Sequence, residues 1–287
     1  MRFGAIGDRR GERRGAMKLG LLAGCLNPRE AEHYQERIWE ASGGEGSITH
    51  ACATREAPNH RIGRPRCMHP GMVRVETPEQ VIRECDGLIV FPSEDGQENR
   101  TLCEMSLQSG KPTYIRGFFT PGGETAESYF TMAEKCGTPC WAASPLRFAR
   151  EFENLPPADT VSSWGPGSFR SAGMDQLEPL MMLMRQTPER VMALKDEACE
   201  RLSVAFEGGR FAGIACFIQG SPFQMNLGMG GKILTVQSDY FNAFIHQLVR
   251  FFRTAEAPVP RGDTLRTLHV METGVRALAC PGEWIAI

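Results

Sequence analysis

The stretch GKPTYIRGFFTPG, residues 110–122, holds the side chain with the clearest chemical promise. A buried strand, Thr113 to Ile115, breaks off on Arg116, Gly117 and Phe118. In open α/β sheets the cleft lies beyond such strand ends, and an arginine there can clamp a carboxylate or phosphate through its planar fork. The same Arg116 also suits a structural role, pairing with Asp175 or Glu178 across a domain junction. A second candidate is the start of the first helix, Asn27-Pro28-Arg29, whose amides suit an anion. A third is Asp175, early in the helix SAGMDQLEPLMML. It reads either as the carboxylate that a helix N-terminus favours or as a general base. For the second role its ordinary pKa of about 4 must be raised by burial.

The elements that would position these residues alternate regularly. KLGLLAG is a short apolar run, and PREAEHYQERIWEAS is helical, opened by Asn27 as cap and Pro28 in the first turn. SITHACA, DGLIVFPS, KPTYI and TPCWAAS read as strands; TPEQVIREC, ENRTLCEMSLQSG and GGETAESYFTMAEKCG read as the helices between them. Strand and helix alternating at this spacing imply βαβ units and a parallel sheet. His33 and Tyr34 fall on a half-exposed face of the first helix. After about residue 150 the character changes. ERLSVAFEGGRFAGIACFIQ and FQMNLGMGGKILTVQS each read as a hairpin, and two amphipathic helices follow, Tyr240 to Ala255 and Asp263 to Leu278. The expected fold class is α/β: a Rossmann-like parallel-sheet domain over residues 17–150, then an α+β domain with a mostly antiparallel sheet over 151–287. Residues 1–16 carry five arginines and four glycines without periodicity. They read as a mobile basic arm or as the product of an upstream start codon, with Met17 opening the fold.

Bulk composition excludes several functions. The chain has 287 residues, 41% hydrophobic and 23% charged, with a formal charge of -2. That is the balance of a soluble globular protein, with no basic excess for nucleic acid and no apolar run suited to a membrane. The ten cysteines are irregularly spaced and read as reduced thiols of a cytoplasmic protein. Cys136 and Cys140 in CGTPC have no second pair at ligand spacing, so no metal is expected. LLAG before Cys25 imitates a lipoprotein cleavage box, but Lys18 cuts the apolar segment too short.

A first strand leading into a helix is where a dinucleotide fingerprint G-x-G-x-x-G belongs. Its three glycine positions fall on Ala23, Cys25 and Pro28, and only Gly24 is present, out of phase. The second glycine lets pyrophosphate approach the backbone, and the β-carbon of Cys25 obstructs that approach. The candidate cofactor contacts are therefore Gly24, Cys25, Asn27, Pro28 and Arg29 at this turn. To them are added Arg55 after the second strand, suited to a 2′-phosphate, and Pro92 and Ser93 at the end of DGLIVFPS. NAD and NADP both stay open, as does the absence of either.

From Lys18 onward the chain resembles the Gfo/Idh/MocA oxidoreductase family. The resemblance is carried by DGLIVFPS (86–93), LCEMSLQSGKPTYI (102–115), FTPGGETAESYFTMAEKCGTPCWAASPLRFAREF (119–152), WGPGSF (164–169) and PVPRGDTLRTLHVMETGVRAL (258–278), in family order. It implies a Rossmann domain carrying NAD or NADP and a second domain whose open sheet walls the substrate and commonly forms a dimer or tetramer. It also implies hydride transfer at an alcohol carbon, assisted by a strand-end lysine and a histidine acid–base group. SPLR (144–147) matches the family's Ser-x-x-Arg, so Arg147 either contacts ligand or holds the interdomain hinge.

The departures are concerted. The lysine position falls on Gly117, the histidine position on Asp175, and the aspartate four residues before it on Ser171. With the cofactor glycines also changed, three readings remain open. One is an NAD(P)-linked oxidoreductase with a rewired site, using Arg116, Arg147 and Asp175 on a small polar or anionic substrate. The second is an acid–base enzyme (a lyase, isomerase or cyclase) on the same scaffold. The third is a non-catalytic homologue that senses a ligand or partners an active relative.

Overall fold

A computed structural model describes residues 16–56, 71–92, 96–116, 123–230 and 232–287. All but the last residue of the expected basic arm lies outside this range, as do Ser93, Gly117 and Phe118. The first half builds β1 (Met17–Leu26), α1 (Pro28–Ser42), β2 (Gly46–Glu56), β3 (Val73–Arg74), α2 (Pro78–Glu84), β4 (Gly87–Phe91), α3 (Gly96–Leu107), β5 (Thr113–Ile115), α4 (Gly123–Lys135) and β6 (Cys140–Trp141). Its six strands lie in the order β3-β2-β1-β4-β5-β6, and every pairing is parallel. All five residues of β4 are buried, which is the continuous apolar run of a strand covered on both faces. The order reverses between β1 and β4, so the crevice of this sheet opens beyond Leu26 and Phe91.

The second half builds β7 (Thr160–Pro166), α5 (Phe169–Met184), β8 (Pro188–Lys195), β9 (Cys199–Phe206), β10 (Phe211–Phe217), β11 (Gln224–Met229), β12 (Lys232–Thr235), α6 (Tyr240–Thr254), α7 (Arg261–Ala277) and β13 (Trp284–Ala286). Seven strands lie in the order β12-β11-β7-β10-β9-β8-β13. Only β7 and β10 pair in parallel; the other pairings are antiparallel, as the hairpin signals required. Helices α5 and α7 pack together on this sheet, joined through Phe169, Leu177, Leu180, Val270 and Met271 in one core. They approach closely because α7 carries Gly274: a β-carbon there would lie 2.6 Å from the Phe169 ring.

Two sequence expectations change here. Helix α6 follows the second sheet in the chain, yet its buried Phe244, Ile245, Leu248, Val249 and Phe251 pack with Leu19, Tyr34, Tyr114 and Trp141 of the first unit. The chain therefore returns across the expected 151–287 boundary, because the apolar stripe of α6 finds its partner face on the first sheet and α1. Tyr34, expected half-exposed, is 2% exposed for the same reason. No helix among the described residues is long and apolar enough to cross a membrane.

Candidate functional site

The sequence placed a turn from Ala23 to Pro28, but the backbone forms none until Asn27. Strand β1 pairs with β2 as far as Cys25↔Arg55 and Leu26↔Glu56. Gly24 is thus a strand residue, its carbonyl accepting the Thr54 hydroxyl at 2.6 Å, and Cys25 is an exposed strand residue rather than part of a loop. Asn27 alone joins β1 to α1. Its Oδ1 accepts the Arg29 N–H at 3.1 Å, while its carbonyl accepts the N–H groups of Glu30 and Ala31, both at 3.1 Å. Pro28 has no N–H to offer. Every amide of the first turn therefore has a partner within the chain or does not exist.

At the neighbouring strand end the backbone N–H of Arg116 donates to Val90, prolonging the β4–β5 ladder by one residue. The Arg116 guanidinium lies over the Phe91 ring, 5.2 Å from its centroid, and pairs with Glu30 in the first turn of α1. This pair spans the ends of β5, β4 and α1, across the switch-point crevice. Neither Asp175 nor Glu178, the partners considered from sequence, makes that ion pair. Beneath it Tyr34 packs edge-on against Phe91 at 5.0 Å, and burial pushes its phenol above the ordinary range, opposed by Arg116.

Asp175 comes to the same cleft from α5. Asp175 is exposed, yet the protein on its flanks raises its carboxyl above the ordinary value, with Arg116 and Ser144 pulling it back and Glu30 adding to the rise. Arg116 at the end of β5 and Asp175 on helix α5 thus come within electrostatic reach of each other. Arg147 is not part of this group. Its side chain is 10% exposed, and it pairs with Glu178 at 3.4 Å and with Asp263 of α7 at 3.0 Å. The Ser144 N–H donates to the other Glu178 oxygen, so the SPLR segment, α5 and α7 are tied at one point. Burial raises the fully buried Glu178 carboxyl to about 8, opposed first by Arg147. Of the two readings of Arg147, ligand contact or interdomain hinge, its pairs with Glu178 and Asp263 are the contacts that the hinge reading calls for.

The remaining candidates are dispersed. Arg55 pairs with Glu98 of α3 at 2.9 Å, so its charge is matched where a 2′-phosphate would need it. Pro92 follows β4, partly buried; Ser93 is outside the described residues. Among the described residues no cluster of three or more His, Cys, Asp or Glu could hold a metal ion. Glu30, Phe91 and Asp263 were missed from sequence. An acidic residue in a helix first turn is ordinary, and only the position of Glu30, third after the Asn27 cap, hinted at a role.

No family model and no curated protein matches this sequence. Solved structures do. GenD2 from gentamicin A biosynthesis, solved in complex with NAD, is 10% identical, with 99% of each chain covered and a TM-score of 0.76. The chain has the Gfo/Idh/MocA oxidoreductase fold. Apo scyllo-inositol dehydrogenase from Lactobacillus casei covers 95% of this chain and 98% of its own at 10% identity, with a TM-score of 0.73. UDP-N-acetylglucosamine 3-dehydrogenase GnnA from Acidithiobacillus ferrooxidans covers 92% and 97% at 11% identity, with a TM-score of 0.67. The resemblance read from residues holds at the level of the fold. The group this fold implies is a nicotinamide dinucleotide, and the residues at the β1–α1 turn do not fit it: the first-turn amides are taken, and the Glu30 carboxylate stands at the helix start.

Proposed function

We propose that this chain is an enzyme on the Gfo/Idh/MocA oxidoreductase scaffold that takes a small polar substrate into the cleft over Phe91. Asp175 serves as its acid–base group and Arg116 as its binding cation. The observation that carries this reading is the approach of Arg116, at the end of β5, and Asp175, on α5, with the Asp175 carboxyl raised by its surroundings and held back by Arg116. A carboxyl raised toward the working pH is a better proton carrier than an ordinary aspartate. A guanidinium nearby donates hydrogen bonds to an oxygen on which negative charge develops. Because Arg116 already faces Glu30 and Asp175, the local charge favours a polar, uncharged substrate over an anionic one. Hydroxylated rings suit this site, and two structural relatives are named for such compounds, an inositol and a UDP-sugar.

A second reading, hydride transfer with NAD or NADP, is favoured by the fold and by the NAD complex of GenD2. Bound in the cleft, the nucleotide would supply the redox chemistry, and Asp175 would still handle the proton. The test common to both readings is calorimetric titration with scyllo-inositol and related cyclitols, followed by turnover of whichever binds. Asp175→Asn is expected to retain affinity and to lose about 100-fold or more in turnover. An Asp175→Asn protein with full turnover ends the proposal.

A further inference from the structure

The implied dinucleotide and the residues present disagree, and the disagreement has a physical content. A helix N-terminus binds phosphate through amides left without partners in its first turn. In α1 that supply is used up: Pro28 has no N–H, Arg29 donates to the Asn27 side chain, and Glu30 and Ala31 donate to the Asn27 carbonyl. The negative charge that the helix dipole favours is also present already, as Glu30. A pyrophosphate entering there would meet that carboxylate at short range. Arg116, at the crevice, is paired with Glu30 and stacked on Phe91, so its charge is already matched by a protein carboxylate where a pyrophosphate would need it.

We infer that the dinucleotide seat of this fold is filled by the chain's own side chains, Asn27, Glu30 and Arg116, and that the enzyme works without NAD or NADP seated there. The inference rests on the cleft being the active site, and it narrows the chemistry to redox-neutral proton transfer. On a hydroxylated ring that also carries a ketone, the proton that Asp175 takes from the hydroxyl-bearing carbon beside the carbonyl leaves an enediol. Its return to the former carbonyl carbon, with the hydroxyl proton exchanged between the two oxygens, moves the C=O one position, and no electrons leave the substrate. The pair over Phe91 then forms the floor of a substrate site where a relative would hold a nucleotide.

The experiment is equilibrium titration of the full-length protein with NADH and with NADPH, read by nucleotide fluorescence. The supernatant of heat-denatured protein is assayed in parallel by mass spectrometry for nucleotide carried through purification. The expected result is no saturable binding up to about 1 mM and no released nucleotide. A Kd below about 1 mM for either compound, or release of a stoichiometric nucleotide, overturns the inference. The two proposals fail separately. Nucleotide binding together with an inactive Asp175→Asn enzyme removes the inference and leaves the acid–base site, whereas a fully active Asp175→Asn enzyme removes the site itself.

Discussion

Two of the arginine–glutamate pairs among the described residues are built from the same side chains and sit in opposite surroundings. Arg116 and Glu30 stand at the edge of the crevice, with side chains 44% and 27% exposed. Arg147 and Glu178 lie under the junction of α5 and α7, 10% and 0% exposed. Water screens the first pair, so it adds little to stability. The second is desolvated, and its members depend on each other and on the Ser144 amide and Asp263. Exposure, and not residue type, separates the two pairs.

The largest expected effect tests the buried pair. Glu178→Ala leaves Arg147 short of one partner and opens a space in the core; denaturant unfolding is expected to show a loss of about 3 kcal/mol. If Arg147→Ala instead leaves the unfolding midpoint unchanged and abolishes substrate affinity, Arg147 belongs to the site and the contrast between the pairs fails.

A second, intermediate effect sharpens the contrast through pH. Glu178 is raised from 4.5 to about 8, first by burial, so the folded protein binds a proton that the unfolded chain has released. Its contribution to stability is complete below the unfolded value and is lost as pH rises through the folded one. Thermal unfolding from about pH 5 to about pH 9 is expected to show a falling Tm, and Glu178→Gln is expected to flatten the slope. Equal slopes in the two proteins would assign the titration elsewhere.

The smallest stability effect belongs to the exposed pair. Arg116→Ala is expected to change unfolding free energy by less than about 1 kcal/mol while weakening the bound cyclitol about tenfold. Destabilisation as large as that of Glu178→Ala would make Arg116 a structural residue after all.

Much of the frame was legible in the amino-acid sequence, because its signals are local. The apolar runs and helical periods spell out the alternation of the first unit; Asn27-Pro28 and Thr77-Pro78 mark helix starts that the structure keeps. The residues standing at the altered motif positions, Gly117 and Asp175 among them, were also read directly. Three matters depended on tertiary structure. Strand β1 runs on to Leu26 because β2 is long enough to pair with it there, and this removes the loop that sequence spacing suggested. Helix α6 crosses to the first sheet because its apolar stripe fits that face, a choice its own periodicity cannot express. Arg116 meets Glu30 and Arg147 meets Asp263 only because parallel topology and helix packing bring distant segments to one point. Local patterns encode which elements form; the partners of a charged side chain, and so its role, follow from which elements become neighbours.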